Sequence, residues 1–251
     1  MISQKWAKLL RSLQQKKYRK IEQLFVVEGE KAVLELLQSD WQVKALFATD
    51  SFLEQHAQYT QKAALVQQAS PAELAQVGSF QTNDAAVAAV EIPADTGFLE
   101  SEGDWVLVLD QINDPGNLGA MIRIADWYGI RHILCSSDTV DLYNPKVIAA
   151  AKGSFLRVQL HYGDLSGWLG QTRLPVFGAY LQGENIHQLA LQQQGGYLVM
   201  GNEANGISAG LAPLISRKVT IPAFGQTESL NVAMATAVLV DNLKRLSAVR
   251  S

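Results

Sequence analysis

Cysteine is almost missing from this 251-residue chain, where Cys135 stands alone. A single cysteine excludes an intrachain disulfide and a cysteine-rich metal site. Cys135 follows the apolar pair Ile133-Leu134 and reads as a small buried hydrophobe. The four histidines, His56, His132, His161 and His187, are too dispersed for a metal site, and no metal is expected. No apolar run approaches the roughly 20 residues that span a bilayer. The basic N-terminus lacks the apolar stretch of a secretory signal, so a cytoplasmic chain without membrane attachment is expected. Two nucleotide-binding signatures are absent as well. There is no G-x-G-x-x-G after the first strand of either α/β stretch and no G-x-x-x-x-G-K-[ST]. Gly206-Ile207-Ser208-Ala209-Gly210 has the spacing G-x-S-x-G but does not directly follow an expected strand, so it is not read as a nucleophile elbow. The missing glycine signatures argue against a Rossmann dehydrogenase and a P-loop enzyme, and the missing elbow context against an elbow-type serine hydrolase.

What the chain does contain is enough apolar material for a large core: 48% of residues are hydrophobic and 18% charged, which excludes global disorder. The length suits one large domain or, in preference, two ordinary ones. The net charge of −3 conceals an asymmetry. Residues 1–20 hold seven of the 21 basic side chains (Lys5, Lys8, Arg11, Lys16, Lys17, Arg19, Lys20) and no acid. The other 231 residues pair 14 basic with 24 acidic side chains, a formal −10. A basic arm on an acidic body suggests a polyanionic partner. Trp6, Leu9, Leu10 and Leu13 at helical spacing support an amphipathic helix with a solvated basic face equally well.

Past the arm, the pattern predicts strands at Leu24–Val27, Val43–Ala48, Ala63–Gln67 and Ala85–Ile92. Between them come a helix over Glu30–Gln38 and one from Pro71, with Ser70 and Glu73 forming a capping box. This gives a small α/β domain over 21–93, preceded by the arm 1–20. Residues 94–104, with Gly97, Gly103 and four acids in the stretch from Pro93 to Asp104, read as a linker. From 105 to 251 a longer alternation begins. Trp105–Ile112 is a continuous apolar strand, as expected for a sheet covered on both faces. Helices are expected at Leu118–Tyr128, Pro145–Lys152, Leu165–Leu169, near Ser208 and at Val232–Leu246. Strands are expected at His132–Cys135, Val158–His161, Pro175–Leu181, Tyr197–Met200 and Val219–Ile221, giving a mainly parallel sheet. Beyond the glutamine run 192–194, there is no low-complexity segment and no internal repeat.

Three polar loops interrupt this second pattern: Asn113-Asp114-Pro115-Gly116-Asn117-Leu118-Gly119 leading to Arg123, Gly201-Asn202-Glu203-Ala204-Asn205-Gly206, and Ile221-Pro222 with Ser229-Leu230-Asn231. Each has an ordinary explanation. Asn117 and Ser229 can be helix N-caps, Glu203 is favourable near a helix N-terminus, and Arg123 can be a surface arginine. Arg123 lies among Met121, Ile122, Ile124 and Ala125, where a guanidinium is costly unless it meets a carboxylate or phosphate.

The three loops taken in this order resemble the motifs of the SpoU, or TrmH-like, family of RNA ribose 2′-O-methyltransferases, in the SPOUT class. Asn144-Pro145-Lys146-Val147 and Gly153-Ser154 fall where the family has a further recognisable stretch. Phe25-Val26-Val27-Glu28-Gly29-Glu30-Lys31 resembles the opening of the family's small RNA-binding domain, which is similar to ribosomal protein L30e. Ile124, Ala204 and Ala223 stand where threonine, glycine and methionine are frequent.

The resemblance implies a deep trefoil-knotted, mainly parallel sheet with helices on both faces, plus an L30e-like α/β domain. It implies S-adenosyl-L-methionine as cofactor, held at Met200, Gly201, Ile221, Leu230 and Asn231. It places methyl transfer at Asn117, Arg123, Glu203, Ser229 and Asn231. A homodimer is implied too, with α-helix Val232–Leu246 as an interface candidate or simply a core helix. RNA is the implied partner, ribosomal RNA before transfer RNA, with Lys16, Lys17, Arg19 and Lys20 placed to meet phosphates. The family's proposed base is the arginine. A guanidinium is essentially never deprotonated in proteins, so an electrostatic role for Arg123 is the alternative. Two other readings stand beside the enzyme. A non-catalytic RNA-binding protein retaining the knot is opposed by the intact polar set, and an unrelated dehydrogenase by the missing glycine fingerprint.

Overall fold

The computed structural model describes residues 1–191 and 194–248; Gln192 and Gln193 of the glutamine run lie outside them. The chain divides into two compact units. The first comprises Met1–Asp95 and Asp141–Leu156, the second Thr96–Val140 and Arg157–Ser251.

The first unit begins with α1 (Gln4–Ser12), capped by the Ser3 hydroxyl, and α2 (Lys16–Glu22). The N-terminal stretch is therefore no free arm. Ile2, Leu10 and Leu13 are buried in one cluster with Val26, Phe47 and Leu74. Apolar spacing drives this docking, and the lysines Lys16, Lys17 and Lys20 stay exposed. Strands β1 (Leu24–Glu28), β2 (Val43–Ala48), β3 (Val66–Gln68) and β4 (Ala86–Glu91) form a sheet in the order β1-β4-β2-β3, antiparallel except for β2 and β3. Helix α3 (Glu30–Gln38) buries Ala32, Val33, Leu36 and Leu37 as its 3.6-residue period requires. The short helices α4 (Asp50–Gln55) and α5 (Ala57–Thr60) had no apolar period to announce them. Helix α6 (Pro71–Val77) has the expected capping box of Ser70 and Glu73. The Ser70 amide, then the Ile2 amide, hold the Glu73 carboxyl down at about 2.

Asp141–Leu156 joins this first unit, although it lies within the sequence of the second α/β stretch. It carries α8 (Pro145–Ala151), which packs against β1. Tyr143 and Phe155 complete an aromatic cluster with Phe25 and Trp41 at centroid separations of 4.8–6.2 Å. Burial pushes the Tyr143 hydroxyl up to about 12. Arg19 is the clearest correction to the sequence reading. It is 3% exposed, donating to the Leu13 and Gln14 carbonyls at 2.8 and 2.9 Å and to the Asp141 carboxylate at 2.6 Å. A guanidinium so engaged is not available to RNA phosphates. Arg19→Ala should instead lower unfolding free energy by about 2–3 kcal/mol, because it strips a buried ion pair of one partner. Urea unfolding reads this directly, and a change under about 0.5 kcal/mol would refute it.

The second unit is a six-stranded sheet in the order β10-β8-β9-β5-β6-β7, parallel throughout. Its strands are β5 (Trp105–Leu109), β6 (His132–Ser136), β7 (Gln159–Gly163), β8 (Val176–Asn185), β9 (Gly196–Met200) and β10 (Arg217–Thr220). Its helices are α7 (Pro115–Trp127), α9 (Leu165–Gln171) and α10 (Val232–Ala248). Every residue of β5 and β9 is buried, which accounts for their unbroken apolar runs. The expected helix near Ser208 does not form. Gly206, at φ 67°, and Pro213 confine that stretch to turns and one 3₁₀ turn, Ala212–Leu214. His132 and His161, far apart in sequence, approach to 3.2 Å across β6 and β7. Among the described residues no group of three or more His, Cys, Asp or Glu could hold a metal ion.

Order along the sheet decides where loops meet. The chain runs outward from β5 through β6 to β7, then returns on the other side of β5 through β8, β9 and β10. The carboxyl ends of β5 and β9 therefore flank the point where the winding direction reverses. In parallel sheets this crevice is the usual place for ligands.

Candidate active site

The loop leaving β5 enters α7 through Asp114, whose carboxylate accepts the Asn117 amide at 2.8 Å, with Pro115 in the first turn. Asp114, and not Asn117, is thus the N-cap. The Asn117 side chain is left for other work. Its amide nitrogen donates to the Glu203 carboxylate, and its carbonyl oxygen accepts from Asn231 Nδ2 at 3.0 Å. Asn231 in turn caps α10, its Oδ1 accepting from the Ala233 and Met234 amides at 3.0 and 3.3 Å. Three loops that are distant in sequence converge on one asparagine, and both ends of its amide are committed. Its orientation is fixed as a consequence.

Ser229 takes no cap position, since Asn231 has it; Ser229 is exposed and outside this trio of hydrogen-bonded side chains. Arg123 is not drawn into it either. It projects from the exposed side of α7, while Leu118, Met121, Ile122 and Ala125 face inward. The apolar neighbours therefore impose no desolvation on it, and among the described residues it has no ion pair. It stands as an available cation about one and two-thirds turns beyond Asn117.

The loop bearing Glu203 is tied at both ends by residues that sequence reasoning missed. Asn202 Nδ2 donates to the Gln111 carbonyl at 2.8 Å, and its Oδ1 accepts from the Ala204 amide at 2.8 Å. The Ser208 amide donates to the Asp110 carboxylate at 2.7 Å. Gln111 adopts a left-handed backbone at φ 59°, a conformation that non-glycine residues accept only under constraint. An aspartate inside the apolar run Trp105–Ile112 was the available signal for Asp110; the strand itself ends before it, at Leu109.

Of the residues assigned to the cofactor, Gly201 lies where β9 ends and Ile221 just beyond β10, half-buried, with Leu230 49% exposed before α10. Among the described residues, 221–230 make no backbone–backbone hydrogen bond, which leaves a run of peptide donors and acceptors beside apolar side chains. That is the chemistry an adenosine needs: apolar contact for the base and main-chain partners for its edges. The residues present fit S-adenosylmethionine. Met200 is an exception. At 2% exposure its side chain belongs to the core, and its carbonyl accepts the Asp110 amide at 2.9 Å.

Known proteins resemble this chain over nearly its whole length. Residues 104–241 match the SpoU rRNA Methylase family model, and residues 5–88 match an MRM3-like substrate binding domain. The chain is 30% identical over 247 residues to the 23S rRNA (guanosine(2553)-2′-O)-methyltransferase RlmP of Bacillus subtilis, spanning 93% of this chain and 94% of that one. It superposes on a putative RNA methyltransferase of the TrmH family from Porphyromonas gingivalis with a TM-score of 0.87, 34% identity and full coverage of both chains. An AdoMet-bound rRNA methyltransferase from Sinorhizobium meliloti gives 0.87 at 27% identity, covering 98% of this chain and 97% of that one. A polar trio joined at the carboxyl edge of a parallel sheet, and sequence matches running through all three loops, have one common explanation: the chain belongs to the SpoU rRNA methylase family.

Proposed function

We propose that this SpoU methylase modifies ribosomal RNA, and that Asn117, Arg123, Glu203 and Asn231, with Ser229 nearby, form the centre for 2′-O-ribose methylation. The observation that carries this is the Glu203–Asn117–Asn231 chain of hydrogen bonds across three loops. The enzyme is an RNA 2′-O-methyltransferase using S-adenosyl-L-methionine, as its family does. The cofactor supplies an electrophilic methyl group on a sulfonium. The protein's share is to hold a ribose hydroxyl in line and to manage its proton. Asn117, fixed at both ends, gives that hydroxyl a defined partner. Arg123 stabilises developing alkoxide charge or anchors the adjacent phosphate. A guanidinium is a poor base, so the Glu203 carboxylate is the proton acceptor that this set of residues offers.

Gly201, Ile221 and Leu230 frame the cofactor through their backbone. The trefoil threading of the family belongs to the same reading, as does a homodimer in the cytoplasm. Trp127 and Met234, 84% and 65% exposed on the packed pair α7 and α10, support a second copy covering that face. Ribosomal RNA is favoured over transfer RNA because the Bacillus relative, matched nearly end to end, bears a ribosomal name. Relatives solved for tRNA modification cover 58–60% of this chain. Mapping 2′-O-methylation in cells lacking the protein decides the substrate: a missing ribosomal mark supports this proposal, and a missing tRNA mark with intact rRNA refutes it.

The first unit, Met1–Asp95 with Asp141–Leu156, serves as the RNA-holding part. Its exposed Lys16, Lys17 and Lys20 lie along α2. Replacing all three by alanine should reduce the slope of log K against log salt by about 2–3 for duplex-like RNA, and weaken binding without regard to sequence. Filter binding over a salt series measures this, and an unchanged slope would remove α2 from the interface.

A further inference from the structure

Asp110 is 3% exposed at the carboxyl end of β5, and its carboxylate accepts the Ser208 amide at 2.7 Å. Its own amide donates to the Met200 carbonyl at 2.9 Å, so it joins both ends of the β9 loop to β5. Next to it, Gln111 holds the left-handed conformation that presents its carbonyl to Asn202. Asn202 and Ser208 bracket Glu203 on either side. Between them the loop closes on itself through the Asn202–Gly206 pair of amide–carbonyl bonds at 3.1 and 2.8 Å. A buried carboxylate with so specific a backbone partner is costly to keep in an otherwise apolar strand end.

We propose that Asp110 is a positioning residue for methyl transfer: through Ser208 it sets the loop that delivers the Glu203 carboxylate to Asn117. The proposal rests on the role given above to Glu203. It predicts that Asp110 acts on turnover only by way of that carboxylate. With the acceptor gone, the loop samples positions in which Glu203 misses Asn117, and kcat falls while KM for RNA holds.

The test is a double-mutant cycle in the full chain with saturating cofactor and RNA. Asp110→Ala should lower kcat about tenfold, and should lower it no further in a Glu203→Ala background. Asp110→Asn keeps an acceptor oxygen for the Ser208 amide, folds if the alanine variant does not, and should restore part of the rate. Amide hydrogen exchange across 202–208, run without cofactor or RNA, reads the tie alone and should accelerate in Asp110→Ala at least tenfold. Equal losses in both backgrounds, or unchanged exchange, would overturn the proposal. Wild-type kcat in Glu203→Ala would overturn the catalytic reading of Glu203 itself, and with it any action of Asp110 through that residue.

Discussion

Arg123→Lys should lose methyl transfer by about 10²–10³-fold while binding S-adenosylmethionine within about threefold of wild type. Lysine preserves the charge and much of the reach. What it removes is the planar fork, which can hold a phosphate and a developing alkoxide together. Arg123 is exposed on α7 and has no ion pair among the described residues, so the substitution breaks no folding contact. Stability should move by less than about 0.5 kcal/mol, as for other surface changes. Single-turnover methyl transfer to RNA together with calorimetry of the cofactor separates chemistry from binding. A rate near wild type would reduce Arg123 to an ordinary surface arginine.

Gly201→Ala should damage both fold and function. An added Cβ would lie 2.2 Å from the Gly206 carbonyl carbon and 2.3 Å from the Ile207 nitrogen. Both are backbone atoms, so no side-chain rotation relieves the clash. The loop must open, breaking the Asn202–Gly206 pair and drawing Glu203 away from Asn117. The expected cost is about 2–4 kcal/mol of stability, combining overpacking with lost buried hydrogen bonds. Cofactor affinity should drop more than tenfold and kcat about a hundredfold. Gly210→Ala is the matched control, because a Cβ there meets nothing within 4 Å. If Gly201→Ala melted and bound cofactor like Gly210→Ala, the loop would be softer than its backbone contacts require.

Local patterns made most elements readable in advance. The apolar runs of β5 and β9, the capping box on α6 and the period of α3 each follow from near neighbours in sequence. Where several near neighbours could fill one role, the structure chose differently. The stretch after Gly206 looked like a helix start and became turns. Asn117 and Ser229 looked like caps, yet Asp114 and Asn231 hold those positions. Capping requires a side-chain oxygen within reach of particular amides, and several residues near each helix start could supply one.

The sequence by itself determined that the chain is α/β and that its sheet core is covered on both faces, and it singled out three polar loops. It also determined the family, because those loops keep their residue types and order. Only the tertiary structure decided which polar groups are free to act. Burial turned Arg19 from an RNA contact into the partner of Asp141, and exposure left Arg123 available. Strand order brought β5 beside β9, so that Asp110 and Gln111 could hold the loop of Glu203. The physical reason is range. Helix period, caps and strand alternation arise between residues a few positions apart, whereas a side chain's access to water and its hydrogen-bond partner depend on segments about a hundred positions away.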